Sequence, residues 1–394
     1  MKASICFMEI GDVRYDGRSL NLASSLCRAG YAVRFLMTGE RNLKGKLDGI
    51  ELIQLGLRPW FWSKLVFLQY FLKAFPAAFR AHADLYVASD LFSLPVAYLA
   101  ARLRKARLMY DAREFYFAIA ALHRRPLTQN LWSLVERFFI KRVDGIMVAG
   151  EEDAKILSER YGIPQPTAIL NHPPYQVSEG RSDLLREKLG IPPDKKILLY
   201  QGGLQSGRGL FLILEVVRHL ADSVAVFLGD GHLKKELREK IAALGLVGRA
   251  FVLDRVEYPK LLEYTRSADL GLALIEDYGL SYRYARPNKL FEYIMAGVPV
   301  VVTNFPVMRQ IVETHKVGEA VDLNDPTEVA RVIGRTLSDT GRYKRLVENC
   351  RRAAQIFQWE NEEPKLLELV QKVLPKVRGT PSEDDFVTKS GVKE

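Results

Sequence analysis

Short runs rich in Val, Ile, Leu and Phe alternate with helix-patterned stretches along nearly the whole chain. This alternation restricts the fold more than any other feature. A strand followed by a helix and then another strand closes most readily as a parallel crossover, so the pattern predicts wound α/β sheets. In the first half the strand-like runs fall near 3–10, 32–38, 50–55, 84–88, 108–111 and 145–148, with helices such as 19–29 and 131–142 between them. Pro164, Pro166, Pro173, Pro174, Pro192 and Pro193 then fall close together around 163–191, and the stretch reads as a linker. A second series follows, with strands near 196–200, 224–228, 251–253, 270–274 and 298–303, and helices near 210–220, 233–244, 258–267 and 289–295. Two similar wound domains in tandem are expected. Their bounds are set at 1–172 and 173–355, with a C-terminal segment at 356–378 and a polar tail at 379–394 that is expected to be disordered.

Composition excludes several other classes. The 394 residues are 48% hydrophobic and 26% charged, enough for sizeable cores and unlike a disordered or fibrous chain. Cys6, Cys27 and Cys350 form no CxxC spacing and no disulfide framework, which favours a reducing compartment. Six scattered histidines give no metal signature. The net charge of +10 is unevenly placed: residues 58–142 hold 14 Lys/Arg against 5 Asp/Glu, whereas 176–394 hold 33 against 31. Such a local basic excess suits anionic lipid, nucleic acid or a phosphorylated substrate, or serves only solubility. No recognition motif accompanies it, so nucleic acid is set aside.

The most apolar stretch, 59–75, is broken by Lys64 and Lys73 and falls short of the roughly 20 apolar residues that a bilayer span needs. The N-terminus lacks the long apolar run of a signal peptide. Residues 59–75 read either as a core helix or as an interfacial segment whose aromatics sit among Arg58, Lys64, Lys73 and Arg80.

Ligands of open parallel sheets lie outside the carboxyl ends of the strands, so chemistry is sought in the loops there. After the first strand of the second half comes Tyr200-Gln-Gly-Gly-Leu-Gln-Ser-Gly-Arg-Gly, with Gly202, Gly203, Gly207 and Gly209 between a strand and a helix. Glycines allow backbone N–H groups to approach an anion, and Arg208 adds a planar cation suited to phosphate. The alternative is a tight turn bearing a surface arginine. In Gly229-Asp230-Gly231, Asp230 either caps a helix or lies beside a nucleotide, and His232 reads as a surface residue. In Pro287-Asn288-Lys289-Leu-Phe-Glu292, Lys289 and Glu292 share a helix face. They form either a surface pair or a site in which Lys289 meets a diphosphate and Glu292 a ribose.

Taken in order, Gly-Gly-Leu…Arg208-Gly, Gly229-Asp-Gly231 and Pro287-Asn-Lys-Leu-Phe-Glu-Tyr…Ala296-Gly-Val-Pro resemble the retaining glycosyltransferases of family 4, which have the GT-B fold. Asp16-Gly-Arg18, Tyr110-Asp-Ala-Arg-Glu, Glu136-Arg and Trp359-Glu360 extend the resemblance over about residues 1–375. It implies two Rossmann-like domains facing across a cleft, with a last helix crossing back to the first. Arg208 and Lys289 would hold the donor diphosphate and act in catalysis. Gly202, Gly203, Gly229, Asp230, Gly231, Asn288 and Glu292 would bind the donor nucleotide. Asp16, Arg18, Asp111, Arg113 and Glu114 would lie on the acceptor side, with Asp111 and Glu114 facing the cleft. Three positions depart from the family pattern. Gly203 stands where many members have arginine, Tyr284 where many have a glutamate that touches the donor sugar, and Arg113 where many have histidine.

The resemblance implies transfer of a sugar from a UDP- or GDP-linked donor to a hydroxyl of a glycan or lipid-linked acceptor, with retention, in cell-surface polysaccharide or glycolipid synthesis. No convincing pair of carboxylates is found for a double displacement, and neither a metal nor a cofactor is implied. A cytoplasmic protein is expected, peripheral on the inner membrane face through the basic region 58–142. The departures at Gly203, Tyr284 and Arg113 keep a second reading open, a non-catalytic GT-B protein that binds nucleotide sugar or supports a partner transferase.

Overall fold

Eight strands form the first sheet of the computed structural model: β1 Ser4–Met8, β2 Ala32–Gly39, β3 Leu43–Leu47, β4 Ile50–Gly56, β5 Leu85–Ala88, β6 Arg107–Ala112, β7 Gly145–Val148 and β8 Thr167–Ala168. Their order is β3-β4-β2-β1-β5-β6-β7-β8, and every pair is parallel except the β3–β4 hairpin. The structure describes residues 2–39, 43–57, 63–117, 126–176 and 180–374. The expected tail 379–394 and the start of the aromatic stretch, 59–62, lie outside them.

The crossovers are α1 Gly17–Arg28, α2 Ser63–Ala81, α3 Leu94–Arg104, α4 Pro126–Ile140 and α5 Glu151–Tyr161. Both faces of the sheet are covered. Phe7, Phe35, Val87 and Met109 pack toward α1 in one apolar cluster, while Met8, Leu36, Tyr86 and Tyr110 pack toward α2 and α3 in another. A sheet buried on two sides explains why its strands read as continuous apolar runs.

The second sheet has β9 Lys196–Gln201, β10 Ser223–Leu228, β11 Ala250–Leu253, β12 Leu270–Ala273, β13 Val300–Thr303 and β14 Gly318–Val321, in the order β11-β10-β9-β12-β13-β14, all parallel. Its helices are α6 Leu184–Leu189, α7 Leu210–Arg218, α8 Lys234–Ala243, α9 Tyr258–Thr265, α10 Leu280–Arg283, α11 Asn288–Met295, α12 Pro306–His315, α13 Pro326–Ser338 and α14 Thr340–Ala354. The order reverses beside β9, so the loop after β9 opens at a topological switch point, where α/β sheets bind ligands.

After α14 the chain returns to the first domain. Trp359 is buried, with its indole N–H on Ser25 Oγ of α1 at 2.7 Å. Helix α15 Glu363–Val373 sets Leu366, Val370 and Val373 into the cluster that holds Phe7 and Phe35. Among the described residues no helix is long and apolar enough to cross a membrane. The cysteines are free, with Cys6 and Cys350 buried.

Candidate functional site

The loop after β9 folds back on the loop after β10. A Cβ at Gly229 would lie 1.9 Å from the Gly202 carbonyl oxygen, so the two backbones touch only because Gly229 has no side chain. Gly209 stands at φ +69° ahead of α7, where a Cβ would strike the Leu274 carbonyl oxygen at 2.1 Å. Asp230 is exposed. Its carboxylate accepts from Gly231 N–H at 2.9 Å and Lys234 at 3.3 Å and does not cap α8. His232 is exposed beside Ser206, and Gly203 offers its carbonyl to the Tyr200 hydroxyl at 2.6 Å.

Lys289 enters this turn from the first residues of α11. It is only 7% exposed, and its ammonium stands 3.5 Å from the centre of the Tyr200 ring. Among the described residues it has no ion pair and no hydrogen bond, so it is not half of a surface pair with Glu292. A Cβ on Gly202 would lie 3.5 Å from its Nζ. Burial, and then the charge of Arg208, push Lys289 well below the usual lysine range, against a weaker pull from Glu292. Arg208 is half-buried, with its guanidinium 4.7 Å from the Tyr282 ring. Two cations thus converge on one glycine turn, and among the described residues neither forms an ion pair. Asn288 is exposed at the helix start, and Tyr284 is 41% exposed.

Glu292 lies one turn along α11. Burial raises its carboxyl above the ordinary value, opposed by a 2.5 Å hydrogen bond from Gln201 Nε2 and by Lys289. Gln201 is buried with both ends of its amide engaged, since its Oε1 accepts from Thr265 Oγ1 at 2.9 Å. The sequence reading missed Gln201, although it adjoins the glycine turn.

On the first domain, the singled-out residues form one ion network. Asp16 caps α1, accepting from Arg18 N–H at 3.0 Å, and also receives Arg113. Arg18 is buried and doubly paired with Asp111, its Nη2 at 2.6 Å from Oδ1, and its Nη1 donates to the Ile169 carbonyl at 2.6 Å. Asp111 is fully buried and does not face the cleft, contrary to the role implied for it. It is a strut that ties α1 to the ends of β6 and β8, and removing either partner would strand a buried charge. Arg113 donates Nε to Asp111 at 2.7 Å, Nη1 to Asp16 and Nη2 to Ser19 Oγ at 2.7 Å, so its charge is already met by two carboxylates. Glu9, just past β1, completes the network. Burial, and then Asp16, push its carboxyl up to about 8. Asp16, although buried, is held down by Arg113 and by its contact with Glu9. Glu9 also escaped the sequence reading, although it follows a strand at its carboxyl end.

The two walls face each other. Glu114 reaches water but stands crowded in the cleft, its carboxyl raised by burial and pulled back first by Arg208 of the other domain. Arg255 lies over the Tyr15 ring at 3.9 Å, and Arg286 meets Glu152 at 3.1 Å. Tyr258 of α9 presses on Gly17 of α1 and meets Asn21. Beside it an interdomain pocket lined by Asn21, Ser24, Pro173, Tyr258 and Leu261 opens on Glu292.

Two Rossmann-like domains with a glycine turn at the second switch point, opposed across a cleft, define the GT-B class. Solved structures agree. Sucrose-phosphate synthase from Thermosynechococcus elongatus superposes with a TM-score of 0.72 at 16% identity, covering 94% of this chain and 99% of that one. Anabaena HepE in complex with UDP and glucose gives 0.71 at 18% with the same coverage, and WaaG, a glycosyltransferase involved in lipopolysaccharide biosynthesis, gives 0.70 at 17%, covering 94% of this chain and 100% of that one. Residues 18–173 match the glycosyl transferase 4-like domain and residues 181–353 match the glycosyl transferases group 1. The two matches fall one on each domain, and the chain has the GT-B fold. A relative by sequence is the D-inositol 3-phosphate glycosyltransferase of Xylanimonas cellulosilytica, 28% identical over 57% of this chain and 56% of that protein. Another is the putative teichuronic acid biosynthesis glycosyltransferase TuaC of Bacillus subtilis, 30% identical over 39% of this chain and 36% of that protein. The match thus spans little more than half the length of the first relative and about a third of the second.

Proposed function

We propose that the protein transfers a sugar from a nucleotide diphosphate sugar to a hydroxyl of a glycan or lipid-linked acceptor, with retention at the anomeric carbon. The observation that carries this reading is Lys289, a buried ammonium with no ion pair among the described residues, beside Arg208 and the Gly202–Gly203 turn. A buried unpaired cation costs stability, and a scaffold has no use for it. A diphosphate set between Arg208 and Lys289 supplies the missing charge. As the donor bond breaks, negative charge grows on the leaving phosphate, and the two cations stabilise it where it develops. Glu292, presented by Gln201, accepts from the ribose hydroxyls, with Gly229 to Gly231 and Asn288 around the nucleotide. The leaving phosphate oxygen takes the acceptor proton on the same face of the sugar. The donor is UDP- or GDP-linked, and the bound UDP of the Anabaena neighbour supports the nucleotide class.

The acceptor side is expected at an anionic membrane surface. Leu127, Leu131, Leu134 and Phe138 of α4 are all exposed at helical spacing, beside exposed Arg137, Lys141 and Arg142. Such a face suits a headgroup region, and cell-surface polysaccharide or glycolipid synthesis is the setting it fits.

The test begins with a thermal-shift panel of UDP- and GDP-sugars to find the donor. Arg208→Ala and Lys289→Ala should each lower kcat/KM for that donor by about 100-fold or more, with melting curves that show folded protein. Turnover within a few-fold of the parent in both variants would mean that the cations have another role.

A further inference from the structure

We propose that Tyr200 and Tyr282 are positioning residues for the donor diphosphate, each presenting a ring face that holds one cation in place and leaves its N–H groups free. The inference rests on the transferase reading and adds to it how Lys289 and Arg208 are held before the donor arrives.

A buried cation is ordinarily paired with a carboxylate. Such a partner would take the N–H donors and the charge that a diphosphate needs. Two carboxylates of this domain stand close by and are engaged elsewhere. Glu292 accepts from Gln201 Nε2 at 2.5 Å, and Glu276 accepts from Gly209 N–H at 3.2 Å. Among the described residues neither forms an ion pair with Lys289 or Arg208. Both cations rest on rings instead. Lys289 Nζ stands 3.5 Å from the centre of the Tyr200 ring, and the Arg208 guanidinium carbon 4.7 Å from that of Tyr282. A ring face attracts a cation through its quadrupole without neutralising it, and more strongly where water is excluded. Lys289 is the more buried of the two. Burial and Arg208 both disfavour its ammonium form, and the face of Tyr200 opposes them where the charge is needed.

Each ring is also fixed to the glycine turn. Tyr200 is buried at the end of β9, and its hydroxyl donates to the Gly203 carbonyl at 2.6 Å. Tyr282 of α10 lies on Gly207, which stands at φ +79°. A Cβ at Gly207 would fall 2.6 Å from the Tyr282 ring and 2.9 Å from that of Tyr278, so the rings reach the turn only because this residue is glycine. Turn, rings and cations are thus tied together. Moving either ring moves a cation relative to the backbone N–H groups of the turn, and the two sets of donors then no longer converge on one diphosphate.

Calorimetric titration of the full chain with UDP, UMP, GDP and GMP provides the test. The cations act on the diphosphate, whereas a general structural fault weakens mono- and diphosphate alike. For the base that binds, the parent should prefer the diphosphate by at least about thirtyfold. Tyr200→Leu should cut that preference about tenfold and Tyr282→Leu about threefold. Tyr200→Phe and Tyr282→Phe keep the faces and should stay within about twofold of the parent's preference, although Tyr200→Phe should melt lower because the Gly203 carbonyl loses its donor. In a Lys289→Met background Tyr200→Leu should cost nothing further, since the ring acts through that ammonium. Should Tyr200→Leu show no melting transition, Tyr200→Met, which fills more of the space, takes its place. A preference retained in both Leu variants overturns the proposal, as does one lost equally in the Phe and Leu variants. A loss confined to one ring overturns the role of the other. A parent that binds UDP and GDP no better than UMP and GMP sinks the diphosphate reading itself, a failure distinct from that of the rings.

Discussion

Lys289 carries opposite signs for stability and for function. Burial and Arg208 lower its pKa from the ordinary 10.5, so between the folded and unfolded values the unfolded chain holds the extra proton. Stability therefore rises with pH through that window, and below it the full cost of the buried charge is present. Lys289→Met keeps much of the volume and removes the charge. It should melt higher than the parent at pH 7, and the difference should shrink as the pH approaches 10.5. A saturating nucleotide diphosphate should reverse the order at pH 7, because only the parent gains the ion pair. Melting scans over pH, with and without nucleotide, check both halves; a variant that melts lower at pH 7 without ligand contradicts the assignment. The sequence showed Lys289 and Glu292 on one helix face but not which of them would be buried, because that depends on where Tyr200 and Gln201 stand across the sheet. Asp111 shows the same limit from the other side. The family resemblance implied a cleft residue there, yet Arg18, 93 positions away, encloses it.

At the scale of elements, strands buried on both faces were the legible part. The run 145–148 coincides with β7, and 196–200 lies one residue short of β9. Three strands were not legible. β3 is Leu-Lys-Gly-Lys-Leu, an edge strand held only by its antiparallel partner, and its charges hide it from an apolar criterion. β8 has two residues, and β14 reads Gly-Glu-Ala-Val. The contact of α1 with α9 was equally invisible, since it joins residues from different domains. A Cβ on Gly17 would lie 2.4 Å from the Tyr258 ring. Gly17→Ala should therefore force Tyr258 away and cost about 1–3 kcal/mol. The double variant with Tyr258→Ala should lose most of that penalty, since the obstacle is gone. Denaturant midpoints of the four proteins measure the coupling. If the Gly17→Ala cost is the same in both backgrounds, the ring is not what Gly17 makes room for.

Over the whole molecule, charge and apolar exposure divide the work between the domains. The region 58–142 carries an excess of nine positive charges by sequence, and the domain that follows the linker is nearly balanced. Within that region α4 turns Leu131, Leu134 and Phe138 outward, and Phe67 of α2 meets Trp132 at 5.4 Å, which joins the two helices. Exposed Leu68 and Leu72 extend the apolar surface along α2. An apolar stripe alone would favour self-association, and a basic surface alone would bind any polyanion. Together they favour a membrane interface with anionic headgroups, where each nearby Lys or Arg adds about 1 kcal/mol. The donor cations belong to the other domain, so the two functions should separate by mutation. Co-sedimentation with vesicles should rise with the fraction of anionic lipid and fall between low and physiological salt. Leu131→Ser with Leu134→Ser should reduce bound protein at least about tenfold, since two leucines that would bury in the membrane are lost, while nucleotide-induced thermal shifts stay unchanged. Binding that ignores lipid charge and salt, or that survives the double substitution, would mean that α4 faces something other than a membrane.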